Sequence, residues 1–441
     1  MRFLVVALIA GMVSVATAGA ALADVAFPLR VSRSHRFFED ATGAPFLLQG
    51  DTAWSLIAEL KREDAETYLR DRKARGFNTI LVNLIEKRFS SNPPANAYGD
   101  RPFAGKAFGR LDPAYFDHAA GVIGEAQKLG LAVFLAPAYL GVNGGDQGWF
   151  SEAEAAGPDA MRAYGEAVAQ RFAQFRNIVW VMGGDFDAPD RRLVSSLAQG
   201  IARGAPGVLQ TVHSGRDSNT AEIWRGEPWF GLDTVYSYGD VHAVLAARRQ
   251  AAAMPVILLE SAYEFERDTT ARMVRRNAYG ALLAGAAGQF FGNNPVWHFT
   301  GPGVFTADQS WREALNSPGA RSMTVLKRLF DRLPWPQLEP DSENDILADG
   351  KGYAAALPDR SLTVIYGEGD DFRVRKSAVR GDRQALWFDP ASGGIRQAQP
   401  VVVNDGGVLH FTPPPDRPYA QRSDWLLLIG DAARLQPIRK G

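Results

Sequence analysis

The sequence predicts an α/β fold: a (β/α)8 TIM barrel followed by a small C-terminal antiparallel β-sandwich domain. Three observations predict it. Short apolar runs alternate with segments of helical period, which is the pattern of repeated strand-helix units around a parallel sheet. The runs number eight. The first of them leads into Gln49-Gly50-Asp51-Thr52-Ala53-Trp54, where a doubly wound dinucleotide-binding sheet would carry a glycine-rich phosphate turn.

The eight strands are expected at Phe46 to Leu48, Thr79 to Leu84, Ala132 to Ala136, Ile178 to Val181, Leu209 to Val212, Thr234 to Tyr236, Val256 to Leu259 and Gln289 to Phe291. Helices are expected at Glu63 to Arg75, Pro113 to Leu129, Pro158 to Arg176, Arg191 to Arg203, Val241 to Ala252, Thr269 to Ala284 and Ser322 to Arg332, with an irregular link between the fifth and sixth strands. Pro113 and Pro158 stand where a first-turn proline is tolerated, and Gly76, Gly130 and Gly288 precede strands where helices often end on a left-handed residue. Past Leu333-Pro334-Trp335-Pro336 the helical period stops. Alternating runs follow at Ser361 to Tyr366, Gln384 to Phe388, Val408 to Thr412 and Trp425 to Ile429, separated by Gly, Asp and Pro turns. The expected organisation is therefore a leader over 1–23, the barrel over 24–333 and the β domain over 334–441.

Composition narrows the function classes. The 441 residues, 46% of them hydrophobic and 22% charged, exceed what one ordinary core organises and are too apolar for disorder. A formal net charge of −1 provides no basic field, so nucleic acid is excluded as an expected partner. The absence of cysteine removes disulfides, thiolate metal sites and cysteine nucleophiles together. Arg2, the apolar run Phe3 to Ala10 and Ala21-Leu22-Ala23 before Asp24 form a cleavable signal-peptide pattern, so export to the periplasm or medium is expected, with no stable membrane insertion once the leader is removed.

In a barrel of this kind the active site lies at the carboxyl ends of the strands. Asp185 ends the fourth run after Gly183-Gly184, and Glu260 ends the seventh. Each is a lone charge closing an apolar segment, and strands four and seven face each other across a barrel mouth. Two carboxylates facing a cleft are the equipment of glycoside hydrolysis, one protonating the departing oxygen while the other attacks the anomeric carbon or activates water. For Asp185 the competing reading is a helix cap, a task that Asp187 and Asp190 serve better; for Glu260 it is a structural ion pair. Glu86 is the rival carboxylate. Trp54, Tyr139, Tyr238 and Trp297 offer aromatic faces for sugars, Asp51, Asn83 and Asn293 offer polar groups for hydroxyls, and His213 could orient a carboxylate or touch substrate. The bland alternatives are core packing for the aromatics and strand-end turn chemistry for the polar residues. No metal is expected, because the six histidines are scattered without ligand spacing, and no cofactor is expected. No G-x-S-x-G elbow and no strand-end lysine suited to a Schiff base is present. A non-catalytic glycan-binding or adhesion protein on the same scaffold is the opposing class.

Gly50-Asp51-Thr52-Ala53-Trp54, the stretch from Tyr68-Leu69 to Arg75-Gly76-Phe77-Asn78-Thr79, Gly183-Gly184-Asp185 and Leu259-Glu260-Ser261 resemble the apiosidase-like glycoside hydrolases, family 140. The resemblance runs from about Phe27 to Ile429. It extends to a β domain traditionally labelled collagen-binding, carried here by Trp387-Phe388-Asp389-Pro390, Gly393 and Trp425-Leu426-Leu427. It implies a hydrolase of plant cell-wall pectin, with Asp185 as acid/base and Glu260 as nucleophile. Related barrels carry an asparagine-glutamate pair at the end of strand four, and this chain has Gly184-Asp185 instead. If Glu260 attacks carbon directly, the two carboxyl groups are expected about 5 to 6 Å apart rather than the roughly 6.5 to 9.5 Å that leaves room for water. Trp297 and Tyr238 are expected to line the same solvent-open cavity.

Overall fold

Eight parallel strands form the barrel: β1 (Leu48–Thr52), β2 (Thr79–Asn83), β3 (Ala132–Ala136), β4 (Ile178–Gly183), β5 (Gln210–His213), β6 (Asp233–Tyr236), β7 (Val256–Glu260) and β8 (Gly288–Phe291). The computed structural model describes residues 25–251, 253–369, 371–379, 383–400, 406–415 and 424–440; the expected leader lies outside them. Neighbours pair in chain order from β1 to β5 and from β6 to β8, and β8 returns to β1. Between β5 and β6 the ring is closed without a ladder. Gly231 N–H donates to Gln210 O at 3.0 Å, Thr211 Oγ1 donates to Leu232 O at 2.8 Å, and Thr234 Oγ1 donates to Val212 O.

The first strand departs from expectation. Pro45–Phe46 belongs to a three-stranded antiparallel ribbon with Arg30–Val31 and Phe38–Glu39, and the barrel strand begins at Leu48 and runs through polar Gln49, Asp51 and Thr52. These polar residues are tolerated in a buried strand because each finds a partner: Gln289 Nε2 donates to Gln49 Oε1 at 3.0 Å, and Thr52 Oγ1 donates to Phe291 O at 3.0 Å. Strand alternation fills the barrel interior with Leu48, Leu81, Phe134, Val179, Ile257, Leu259 and Phe290.

The outer helices are α1 (Arg62–Ala74), α2 (Pro113–Lys128), α3 (Phe150–Phe172), α4 (Arg192–Gly204), α5 (Val241–Ala251), α6 (Ala271–Leu283) and α7 (Pro318–Phe330). Helix α3 starts earlier than its proline suggests. Gly157, at φ 81°, joins a short helix to a longer one that restarts at Pro158, the first-turn position that proline tolerates. Only the short helix Thr220–Trp224 lies between β5 and β6, consistent with the irregular link read there. No helix among the described residues is long and apolar enough to cross a membrane.

The C-terminal part is a six-stranded antiparallel sheet with a narrow second layer, the two-stranded ribbon Phe372–Arg375 with Val408–Phe411. One face of the large sheet packs Ile365, Trp387 and Leu427 against Phe372, Val374 and Phe411 of that ribbon. The other face carries Leu362, Val364, Tyr366, Leu426 and Leu428 into one apolar cluster with Val274 and Tyr279 of α6 and Met323 and Leu326 of α7. A buried bidentate pair crosses the same interface. Arg275 of α6 donates to both carboxylate oxygens of Asp424, each at 2.6 Å, and Tyr366 Oη donates to Asp424 Oδ2 at 3.0 Å. The barrel and the sheet therefore share a core.

Candidate active site

Three successive residues at the end of β4 have positive φ: Gly183 at 77°, Gly184 at 126° and Asp185 at 51°. The glycines are required by space as well as by conformation. A Cβ on Gly183 would lie 2.7 Å from His213 O, and one on Gly184 would lie 2.4 Å from the Tyr139 ring. This turn delivers Asp185 to the barrel mouth, where Tyr139 Oη donates to Asp185 Oδ2 at 2.8 Å. Burial, and then the Asp185 charge, push the Tyr139 phenol well above its ordinary range, so it remains a proton donor.

Glu260 closes β7 opposite. Its Oε2 lies 3.0 Å from Nε2 of the buried His213 on β5, and that nitrogen is 3.9 Å from Asp185 Oδ1. One ligand atom from each of Asp185, His213 and Glu260 lies within 4.8 Å of the other two. Burial, and next the Asp185 charge, raise Glu260 from the usual carboxylate range to about 7, with His213 opposing them. For His213 burial acts to lower the pKa, but Glu260, Asp185 and Asp187 together outweigh it and the net direction is upward. Each group therefore favours the charged form of the other. Trp54 fixes this geometry from one side, stacking on His213 with centroids 5.6 Å apart and donating from Nε1 to Tyr263 Oη at 2.9 Å.

A cavity of about 580 Å³ opens on both carboxylates. Trp54, Asn83, Tyr139, Tyr238 and Trp297 line it together with Asp185 and Glu260, while His213 sits behind Glu260 and does not face the open space. Trp297 is held by its Nε1 donating to Glu266 Oε1 at 2.8 Å. Tyr238 carries two arginine side chains over its ring, those of Arg216 and Arg267.

Two residues expected at the substrate site lie elsewhere. Asp51 is fully buried and faces outward from the barrel, because its neighbour Gly50 faces the Phe290 ring inside and successive strand residues alternate. It accepts from Tyr68 Oη at 2.6 Å and lies 3.5 Å from Arg72 of α1, so it ties strand to helix. Asn293 is also fully buried; its Nδ2 donates to Glu264 Oε2 at 3.0 Å, and Glu264 in turn accepts from Gly319 N–H at the start of α7. The rival acid Glu86 is likewise engaged. It accepts from the backbone N–H groups of Lys87, Arg88 and Phe89 and from Ser55 Oγ, organising the loop after β2. Asp187 does not cap α4 but binds Gly215 N–H and Ser218 Oγ, joining the loops after β4 and β5.

Sequence reading missed Tyr263, Glu266, Arg216, Arg267 and Phe305, which reach the cavity from loops beyond the strand ends. No period marks such residues; nearness to a strand-end acid was the one usable signal, and Glu266 satisfies it. Among the described residues, Asp185, His213 and Glu260 are the group of acids and histidines whose ligand atoms converge closely enough to bracket a metal ion.

Residues 32–337 match the family model "Apiosidase-like, catalytic domain", and residues 344–430 match "Putative collagen-binding domain of a collagenase". Among solved structures, a glycoside hydrolase family 5 protein from Bacteroides vulgatus aligns at 23% identity over 92% of this chain and 94% of its own, with a TM-score of 0.77. A second glycoside hydrolase aligns at 26% identity over 92% of this chain and 97% of its own, also at 0.77. No curated protein matches the sequence.

Proposed function

We propose, from the premise that this chain belongs to the apiosidase-like family of glycosidases, that it hydrolyses pectic glycans with retention of configuration, using Asp185 as acid/base and Glu260 as nucleophile. The observation that carries the mechanism is the close approach of the two strand-end carboxylates, bridged by His213 within 4.8 Å, at the floor of one open cavity. A separation that short favours direct attack over a water held between the acids.

In the first step Asp185 gives its proton to the glycosidic oxygen while a Glu260 oxygen bonds to the anomeric carbon, so the aglycone leaves as an alcohol and a glycosyl ester remains. In the second step Asp185, now a carboxylate, takes a proton from water whose oxygen attacks the same carbon and releases Glu260. The hydrogen bond from Tyr139 to Asp185 Oδ2 stabilises the negative charge that Asp185 carries between the steps. His213 beside Glu260 supports the ionised nucleophile: a protonated imidazole at 3.0 Å offsets the cost of a buried carboxylate.

The test is a screen of pectic fragments with sugar release read by chromatography, repeated with Asp185→Asn and Glu260→Gln. Each substitution is expected to lower turnover by roughly 10²- to 10⁴-fold with the fold preserved. Azide added to Glu260→Ala should give a glycosyl azide of inverted configuration, and added to Asp185→Ala one of retained configuration. Near-normal turnover in either variant removes the assignment, and saturable binding without product by the native chain makes it a glycan-binding protein instead.

A further inference from the structure

The barrel and the β sheet meet on a column of four rings. Tyr353 and Tyr366, cross-strand partners on Tyr353–Ala356 and Leu362–Glu368, are held between His242 of α5 and Tyr279 of α6. His242 and Tyr353 lie with centroids 4.4 Å apart and planes at 14°, Tyr353 and Tyr366 at 6.0 Å and 8°, and Tyr366 and Tyr279 at 5.3 Å and 13°. Tyr366 is fixed at its hydroxyl by the buried Asp424–Arg275 pair. Tyr353 lies against α6 as well as α5 because position 280 is glycine: a Cβ there would lie 3.0 Å from Cε2 of Tyr353 and 3.5 Å from Cβ of His242. Glycine inside a helix weakens it, so α6 gives up stability where this ring passes.

The barrel end of this column is close to the cavity along the chain. Tyr236 and Tyr238 line the cavity, and the turn over 237–240 leads from β6 into α5, whose second residue is His242. The same turn touches the strand that carries the nucleophile, since Ser237 N–H donates to Glu260 O at 3.2 Å. Its remaining bonds are local. Gly239 N–H donates to Ser237 Oγ at 3.0 Å, Asp240 Oδ1 accepts from Ala243 N–H at 3.1 Å, and both Gly239 and Asp240 are exposed. An exposed link of this kind opens easily unless its ends are fixed. The buried Val241 and the His242 ring on Tyr353 are the fixed points immediately beyond it.

A stacked aromatic pair contributes more than the area it buries, so shifting the first turn of α5 costs that contact. We propose that the β domain is a working part of the cavity: Tyr353, stacked on His242, is a positioning residue that holds the turn carrying Tyr238 in place at the barrel mouth. A binding module carried on a linker would need no ring laid past a glycine onto the helix that begins at the cavity rim. The effect on turnover rests on the hydrolase reading above; the effect on the turn does not.

The experiment is amide hydrogen exchange of the full chain, read on peptides covering 237–244, alongside melting curves and steady-state kinetics on pectic oligosaccharides. In Tyr353→Ala that segment should exchange at least about 10-fold faster while peptides from β7 keep native rates, and Tyr353→Phe, which retains the ring, should match the native chain. His242→Ala should reproduce the effect although alanine is the better helix former, and it serves if Tyr353→Ala does not fold. Leu362→Ala, four positions before Tyr366 on the same strand and in the shared core, should lower the melting temperature without changing exchange at 237–244. KM should rise about 5-fold in Tyr353→Ala with kcat within about 2-fold of native. Native exchange in Tyr353→Ala and His242→Ala, an equal rise in Leu362→Ala, a Tyr353→Phe that behaves as the alanine variant, or an unchanged KM each overturns the positioning role. A native chain that releases no product removes the hydrolase reading instead, and the positioning role is then judged by the exchange rates and by calorimetric affinity for the same oligosaccharides.

Discussion

Replacing Gly184 by alanine tests how the backbone at the end of β4 delivers the acid. Alanine at φ 126° costs about 1 to 3 kcal/mol in backbone strain. Its Cβ would sit 2.4 Å from Cδ2 of Tyr139, so the ring must retreat by about 1 Å to reach ordinary carbon contact. The 2.8 Å hydrogen bond from Tyr139 to Asp185 then stretches beyond bonding range, and Asp185, one residue along, moves with the turn. A displacement of that size at a reacting group is worth about 10² in rate. Steady-state rates on a glycoside substrate should show kcat lowered about 100-fold with a smaller change in KM. Tyr139→Phe should lose less, and the double variant should lose less than the product of the two, since both act through one contact. Native kcat in Gly184→Ala, with its melting curve showing a folded protein, would refute the reasoning; so would full additivity in the double variant.

Further outcomes follow from what the structure buries. Glu260 is raised to about 7, so kcat/KM should fall on the acid side below about pH 7, and His213→Gln should move that limb upward because His213 opposes the rise; a limb near pH 4.5 in the native chain contradicts this. The same raised group binds its proton more tightly in the folded than in the unfolded chain, so its stabilising contribution is complete below about pH 4.5 and is lost as pH rises toward 7; denaturant unfolding of Glu260→Gln should be flatter across that window than that of the native chain. Arg275→Met leaves Asp424 buried without its bidentate partner and should cost about 3 to 5 kcal/mol in unfolding, and truncation before Trp335 should give insoluble or less stable protein; a soluble, equally stable truncation would make the β domain independent. Asp51→Asn should lower stability while leaving KM for glycan within about 2-fold, a split that separates its outward position from a substrate role.

The fold was legible because it is written in short-range pattern. Eight apolar runs at strand spacing, helices opened by Pro113 and Pro158, and the change of period after Leu333 need only nearest neighbours along the chain to be recognised. The acids Asp185 and Glu260 were legible for a related reason: a lone charge closing an apolar strand has one end of a barrel available to it. Side-chain direction was the part that sequence could not carry. Asp51, Asn83 and Asn293 all stand at strand ends and read alike, yet Asn83 reaches the cavity, whereas Asp51 turns outward to Tyr68 and Arg72 and Asn293 turns to Glu264. Which way each points depends on the pleat and on residues up to 29 positions away, as in the Asn293 pair. Sequence alone therefore determined the architecture and the chemical type of the site, because both follow from periodicity and residue chemistry. Only the tertiary structure decided that His213 sits behind Glu260, that Glu86 serves a loop, and that two arginines from separate loops meet on Tyr238, because those contacts exist only where strands distant in the chain end side by side.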